Sequence, residues 1–253
     1  MDYVHDRLSE LAHVSAPLAR AFADAGFSLY AVGGSVRDAI LGESRDVDFE
    51  IDFTTNARPD DIERLMKPLC TSIWEQGRAF GTIGGMLREG DFKVEITTYR
   101  SEEYVDHSRK PAVVWGDSLE ADLSRRDFTI NALALDVVAL DAGTPDVQTL
   151  FDYYNGFRDL HERVLRTPID PELLFSDDPL RMLRAARFAA RFHLRIDAAV
   201  EAIVGTRNDE GQFEGGTLAK FSMPVEGNMI AQVGTISANS DAEIGATIAE
   251  ARE

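Results

Sequence analysis

A chain of 253 residues with 44% hydrophobic content carries enough apolar material for one large domain or two small ones. No run is long and apolar enough to span a membrane, and the N-terminus, with Asp2, His5 and Asp6, lacks a signal-peptide pattern. A net charge of −18 excludes a uniformly basic surface, so any contact with a phosphate backbone must rest on local arginine patches. The single cysteine, Cys70, cannot form an internal disulfide, which fits a cytoplasmic setting, and the five histidines are scattered without zinc-ligand spacing.

Residues 7–25 predict an amphipathic helix, with Leu8, Leu11, Val14, Leu18 and Phe22 at helical spacing and Gly26 as its stop. The stretch LYAVGGSVRDAILGESRDVDFEID, residues 29–52, then reads as strand, glycine turn, short helix, loop and strand. Gly33 and Gly34 let the backbone turn sharply and approach a ligand. Ser35 is a candidate N-cap and Gly42 a helix stop. A helix N-terminus over such a turn suits phosphate, and Arg37 adds a positive charge there. In the second strand Asp46, Asp48, Glu50 and Asp52 alternate with Val47, Phe49 and Ile51, so the acids share one face. Beside a phosphate-binding turn, Asp46 and Asp48 suit magnesium ions bridging a triphosphate.

Pro59 to Leu69 predicts a second helix. Ser72 to Trp74, Thr82 to Arg88 and Phe92 to Tyr99 predict strands, the last two joined by a hairpin turn at Glu89-Gly90-Asp91. Glu95 shares a face with Lys93 and Thr97. It reads either as a third carboxylate joining Asp46 and Asp48 or as an exposed strand glutamate. Arg100 to Leu123 reads as a long, polar, irregular connection. In SRRDFTINAL, Arg125 and Arg126 are candidates for phosphate or ribose, Asp127 can orient one of them, and Asn131 can bond a sugar hydroxyl.

Further on, Asp152 and Gly156 shape a turn, and Arg158 and Asp159 begin a helix of mainly structural purpose. Ser176 reads as the N-cap of a helix running through SDDPLRMLRAARFAARFHL. Asp178, Arg181, Arg184 and Arg187 lie three apart along it. They read either as surface ion pairs or as a base-selecting stripe. Cytosine and adenine both present an exocyclic amino donor beside a ring-nitrogen acceptor, which Asp178 and Arg181 complement. Guanine and uracil would leave both partners unsatisfied, so one such pair can select CTP and ATP without a template.

GGSVRDAILG with RDVDFEID, RRDFTINAL and the DDPLR helix together resemble the motifs of the tRNA nucleotidyltransferase and bacterial poly(A) polymerase family. The resemblance covers residues 10–200 or thereabouts and implies an α+β fold of the DNA-polymerase-beta-like nucleotidyltransferase type. It implies a head of mixed sheet and flanking helices over residues 1–140 and a partial helical neck over 141–205. It further implies template-independent addition of C and A to the 3′ end of tRNA from CTP and ATP, with Mg2+ held by Asp46 and Asp48. Gly33, Gly34, Arg37, Arg126, Asn131, Asp178, Arg181, Arg184 and Arg187 would bind the nucleotide. A poly(A) polymerase shares every one of these motifs. Residues 206–253 read as a polar linker and tail, and the segment IAQVGTISANSD resembles an intermediate-domain piece of group I chaperonins. The family's RNA-holding body has no counterpart there, so an inactive nucleotide-binding fragment or fusion product is the reading from another class.

Overall fold

The computed structural model describes residues 2–42, 50–90, 92–102, 113–116, 118–141, 149–207 and 213–214. Two compact units divide the chain, Met1–Ile203 and Val204–Glu253. The first unit opens with α1 (Asp2–Asp24), β1 (Leu29–Val32), α2 (Gly34–Leu41), β2 (Glu50–Thr55), α3 (Pro59–Met66), β3 (Cys70–Trp74), β4 (Thr82–Leu87) and β5 (Lys93–Thr98). It continues through β6 (Arg100–Glu102), β7 (Val113–Trp115), α4 (Leu119–Ser124), β8 (Ala134–Asp136), α5 (Val137–Asp141) and β9 (Leu150–Phe151). The chain goes on as α6 (Gly156–Glu162), β10 (Val164–Leu165), α7 (Pro171–Asp177), α8 (Leu180–Arg191), β11 (Arg195–Ile196) and α9 (Ala198–Val204). In the second unit, β12 (Thr206–Arg207) pairs with β13 (Phe213–Glu214), and the chaperonin-like segment lies outside the described residues.

Seven strands form one mixed sheet in the order β3-β4-β5-β2-β1-β8-β9. Its neighbours run antiparallel except β2 and β5, which are parallel because α3 and the β3–β4 hairpin carry the chain across between them. The alternation read in the sequence decides the two faces. Ile51, Phe53, Val94, Ile96 and Ile83 are fully buried or nearly so, and α3 packs over this side with Met66 against Gly85. Burying each such side chain contributes roughly 1.5–3 kcal/mol. The other face carries Glu50, Asp52, Lys93, Glu95 and Thr97. At one end it is closed by a small core of Val32, Tyr99, Leu119, Leu123, Ala132 and Ala134.

Three local expectations are corrected. The α2 cap is Gly33, not Ser35, because the turn needs φ +70°, where a side chain is strained. Ser35 sits inside the helix and donates back to the Val32 carbonyl at 3.1 Å. Ser176 belongs to α7, with its hydroxyl on the Leu173 carbonyl, and a separate α8 starts at Leu180. Pro179 disfavours a helical residue before it, so Asp178 is extended at φ −141° and breaks the helix in two. Nor is the segment after Arg100 irregular throughout: β6 and β7 pair as a hairpin and α4 follows, capped by the Ser118 hydroxyl.

Neck and head are stitched at the turn before α6. Asp152 accepts from the backbone N–H groups of Gly156 and Phe157 at 2.7 and 3.0 Å. A Cβ on Gly156 would meet the Thr129 carbonyl oxygen at 2.1 Å, so only glycine lets α6 lie against the RRDFTINAL turn. Asp159, fully buried, accepts from the Thr129 hydroxyl at 2.7 Å and from Arg166 at 2.8 Å.

Candidate active site

Strand β1 runs directly into the glycine turn, and its neighbour β2 brings its first acids alongside. A Cβ on Gly33 would lie 3.4 Å from Arg126 Nη1 and 3.6 Å from Asp52 Oδ2, so turn, strand and arginine converge on one point. Asp52 pairs with Val32 on one side and with Glu95 on the other, while Glu50 pairs with Lys93. Glu50, Asp52 and Glu95 therefore share one face next to the turn. Asp46 and Asp48, the pair expected to hold metal, lie outside the described residues. Glu95 stands opposite Asp52, four residues beyond Asp48 in the chain.

The electrostatics of this face are unbalanced. Asp52 keeps solvent access, yet enclosing protein atoms push its pKa up to about 6; Arg126 pulls it down, and Glu50 and Glu95 raise it further. Burial also raises Glu50, with Glu95 adding to it and Lys93 opposing. Arg126 is the guanidinium facing these acids, anchored by Asp122 at 3.6 Å. Sequence reasoning passed over Asp122. It is buried, accepts from the Thr54 hydroxyl at 3.0 Å and the Arg100 backbone N–H at 3.2 Å, and so orients Arg126, the task expected of Asp127. Its place in DLSRRD, four before Arg126 on a short helix, was the available signal.

Other expected residues lie beside this point rather than open to it. Arg37 is 5% exposed. Its Nε donates to Asp38 at 2.7 Å and its Nη1 to Asn131 Oδ1 at 2.6 Å, while its plane lies over Phe188 and Phe192 of α8, 5.3 and 4.6 Å from the ring centroids. Asn131 spends its other amide atom on Asp127, at 2.9 Å. Asp127 also accepts from the Phe128 backbone and faces Arg184, at 3.6 Å, instead of Arg126.

On the neck, the predicted stripe turns from the interior to the surface. Arg181 is buried; its two terminal nitrogens donate to the carbonyls of Leu174 and Arg125 at 2.9 and 2.8 Å. Its Nε–H makes no hydrogen bond and has Asp178 Oδ2 3.8 Å away. Asp178, at the end of α7, accepts through Oδ1 from the Leu180 N–H that opens α8 at 3.0 Å, and through Oδ2 from Arg184 Nη2 at 3.4 Å. Arg187 is exposed.

Glycine turn, acid-bearing strand and Arg126 thus converge on one point of the sheet. Residues 29–166 match the poly A polymerase head domain. The chain belongs to this family. Within it, the chain is 38% identical over 192 residues to the CCA-adding enzyme of Staphylococcus aureus, an alignment covering 76% of this chain and 43% of that protein. Among solved structures it is similar to the Bacillus stearothermophilus CCA-adding enzyme in complex with CTP, at a TM-score of 0.60 and 28% identity, covering 74% of this chain and 41% of that one. It is likewise similar to the Thermotoga maritima CCA-adding enzyme complexed with tRNA, at a TM-score of 0.61 and 29% identity, covering 78% and 43%. The chain spans less than half the length of these relatives. Nucleotidyltransferases of this family work with divalent metal ions, and among the described residues no helix is long and apolar enough to cross a membrane.

Proposed function

We propose that the chain carries the catalytic head and base-selecting neck of a template-independent RNA nucleotidyltransferase, one that adds C and A to the 3′ end of tRNA from CTP and ATP in the cytoplasm. The observation that carries the reading is the convergence of Gly33, Asp52, Glu95 and Arg126. Burial raises the pKa of Asp52 there, and Glu50 and Glu95 raise it further, with one guanidinium against them, so this face favours a cation; among the described residues, though, no three such side chains are grouped to hold a metal ion by themselves. Asp46 and Asp48 would hold Mg2+, with Glu95 as a third carboxylate. When bound, the ion polarises the α-phosphate and lowers the pKa of the attacking hydroxyl.

The protein's own groups do the rest. Gly33 and Gly34 leave room for phosphate oxygens at the α2 N-terminus, whose unpaired N–H groups and dipole favour negative charge. Arg126 neutralises the triphosphate as pyrophosphate departs. Asp178 accepts from the exocyclic amino group of C or A and Arg181 donates to the ring nitrogen. Arg184 and Arg187 offer cations on the same helix to nucleotide or RNA. Arg37 and Asn131 hold α2 and α8 in place for this set. Residues 1–140 act as head, 141–205 as neck and 206–253 as a tail outside the chemistry.

The experiment is incubation of the chain with Mg2+, a tRNA ending before CCA and labelled CTP or ATP. Incorporation of both nucleotides is expected. Addition of A alone would make it a poly(A) polymerase, the reading that the family's description favours. No incorporation and no nucleotide binding would leave an inactive fragment, which the partial coverage of its relatives favours.

A further inference from the structure

Strand β3 is the edge of the sheet on the side away from the glycine turn, and it carries an aromatic side chain toward the acids. Trp74 on β3 pairs with Gly84 on β4, Gly84 with Glu95 on β5, and Glu95 with Asp52 on β2. Residues paired in this way point to one face, so Trp74, Glu95 and Asp52 stand in one row on the acidic side. A Cβ on Gly84 would collide with Nε1 and Cε2 of Trp74. Only a glycine therefore leaves room for the indole to lie across β4 in the direction of Glu95. The ring is half-buried, resting on β4 and still open to solvent in part.

The direction of transfer says what such a ring can hold. The attacking and leaving oxygens lie roughly in line through the phosphorus. The glycine turn that receives the triphosphate follows β1, on one side of Asp52, so pyrophosphate departs toward β1 and α2. The attacking 3′ hydroxyl must then come from the side of β5, β4 and β3, where Trp74 lies. The indole over β4 is two strand spacings from Asp52, about 10 Å, a span that the last nucleotides of an RNA can cover. Phosphate attraction is weak on this acidic face of a chain with a net charge of −18. Stacking needs no charge, and every base has a π-face to offer. We propose that Trp74 is a stacking platform for an unpaired base at the 3′ end of the RNA acceptor, across the acids from the triphosphate. The proposal rests on the transferase reading of this site.

Fluorescence tests it directly. The chain has two tryptophans, so Trp115→Phe leaves Trp74 as the one reporter while keeping a ring against Gly81. The ligands are an RNA hairpin with a short unpaired 3′ end, the same hairpin with abasic sugars in that end, and inorganic tripolyphosphate. In Mg2+ buffer the base-bearing hairpin is expected to quench Trp74, and the other two to leave it nearly unchanged. In the otherwise native chain, Trp74→Ala should weaken binding of the base-bearing hairpin roughly tenfold and of the abasic hairpin less than about twofold, with CTP affinity unchanged. Trp74→Phe, which keeps an aromatic face, should recover most of that loss. A tryptophan that only stiffens the β3–β4 hairpin would lower the melting temperature and weaken all ligands together. Equal quenching by the two hairpins, or equal losses for both in Trp74→Ala, would overturn the platform. Incorporation of labelled CTP by the wild-type chain in the same buffer would still leave the transferase reading standing. A wild type that neither incorporates nucleotide nor binds either hairpin would sink both.

Discussion

The acidic face of the sheet and the arginine-bearing neck treat charge in contrary ways. On the sheet, Glu50, Asp52 and Glu95 share one face, with Arg126 against Asp52, and burial with mutual repulsion pushes Asp52 up to about 6 and raises Glu50 from its ordinary value. On the neck, the protein satisfies its own charges: Arg181 binds two carbonyls, Asp159 binds Thr129 and Arg166, and Asp178 caps a helix. The first region leaves like charges facing one another, whereas the second pairs most of its own charges internally, the Arg181 Nε–H excepted. Stability and function are therefore expected to respond oppositely to loss of an acid in the two places.

The largest effect should come from the sheet. Asp46→Asn or Asp48→Asn is expected to lower nucleotide transfer on the order of 10³-fold while leaving the fold intact, as read by single-turnover incorporation and thermal melting. Asp52→Asn and Glu95→Gln in the same assay test the rest of the acidic face: loss in those two, with near wild-type transfer in Asp46→Asn and Asp48→Asn, would move the metal along the strand.

The opposite response belongs to Asp159. Its carboxylate is fully buried and hydrogen-bonded, so Asp159→Ala should destabilise the chain by about 2–3 kcal/mol in urea unfolding, through the unpaired Thr129 hydroxyl and Arg166. A loss under about 0.5 kcal/mol would break the contrast between satisfied neck and unsatisfied face.

Smaller again is base choice. Asp178→Ala should narrow the preference for CTP and ATP over UTP and GTP by roughly tenfold, about 1.4 kcal/mol, with little change for the bare triphosphate. Unchanged preference would leave Asp178 with its capping role only.

The smallest effect is a pH dependence. With the Asp52 pKa raised from 3.8 to about 6, the folded chain binds that proton more tightly than the unfolded chain. In metal-free buffer the contribution of Asp52 is thus most favourable at low pH and is lost as pH rises from about 4 through about 6. The difference in melting temperature between wild type and Asp52→Asn should grow in favour of the variant across that window. A difference that is flat with pH would mean that Asp52 sits in an ordinary environment.

Much of this was legible beforehand, because periodicity and glycine placement are local. The alternation of Ile51 and Phe53 with Glu50 and Asp52 announced which strand face is buried, and Gly33 announced the turn. What was hidden was register. Four acids at one spacing look alike in a sequence, and only the parallel pairing of β2 with β5 places Asp52 and not Asp48 opposite Glu95. The helix break at Asp178 was hidden differently: Pro179 is tolerated in a first turn, so its presence alone allowed one helix or two. Asp122 took over the duty expected of Asp127, a local signal that was missed, whereas the turn of Asp127 toward Arg184, far along the chain, leaves no local trace.

The parallel pairing of β2 with β5 also bears on how the molecule assembles. Asp52 and Glu95 are 43 positions apart (95 − 52), and the intervening β3–β4 hairpin must be laid down before their strands can meet. Long-range parallel pairing closes a costly loop and comes late, after hairpins and helices have formed. During synthesis, the like charges of the acidic face are consequently kept apart until the neighbouring apolar strands can hold them together. A cation that binds only the assembled face then acts by mass action on the finished structure, slowing its opening rather than guiding its formation.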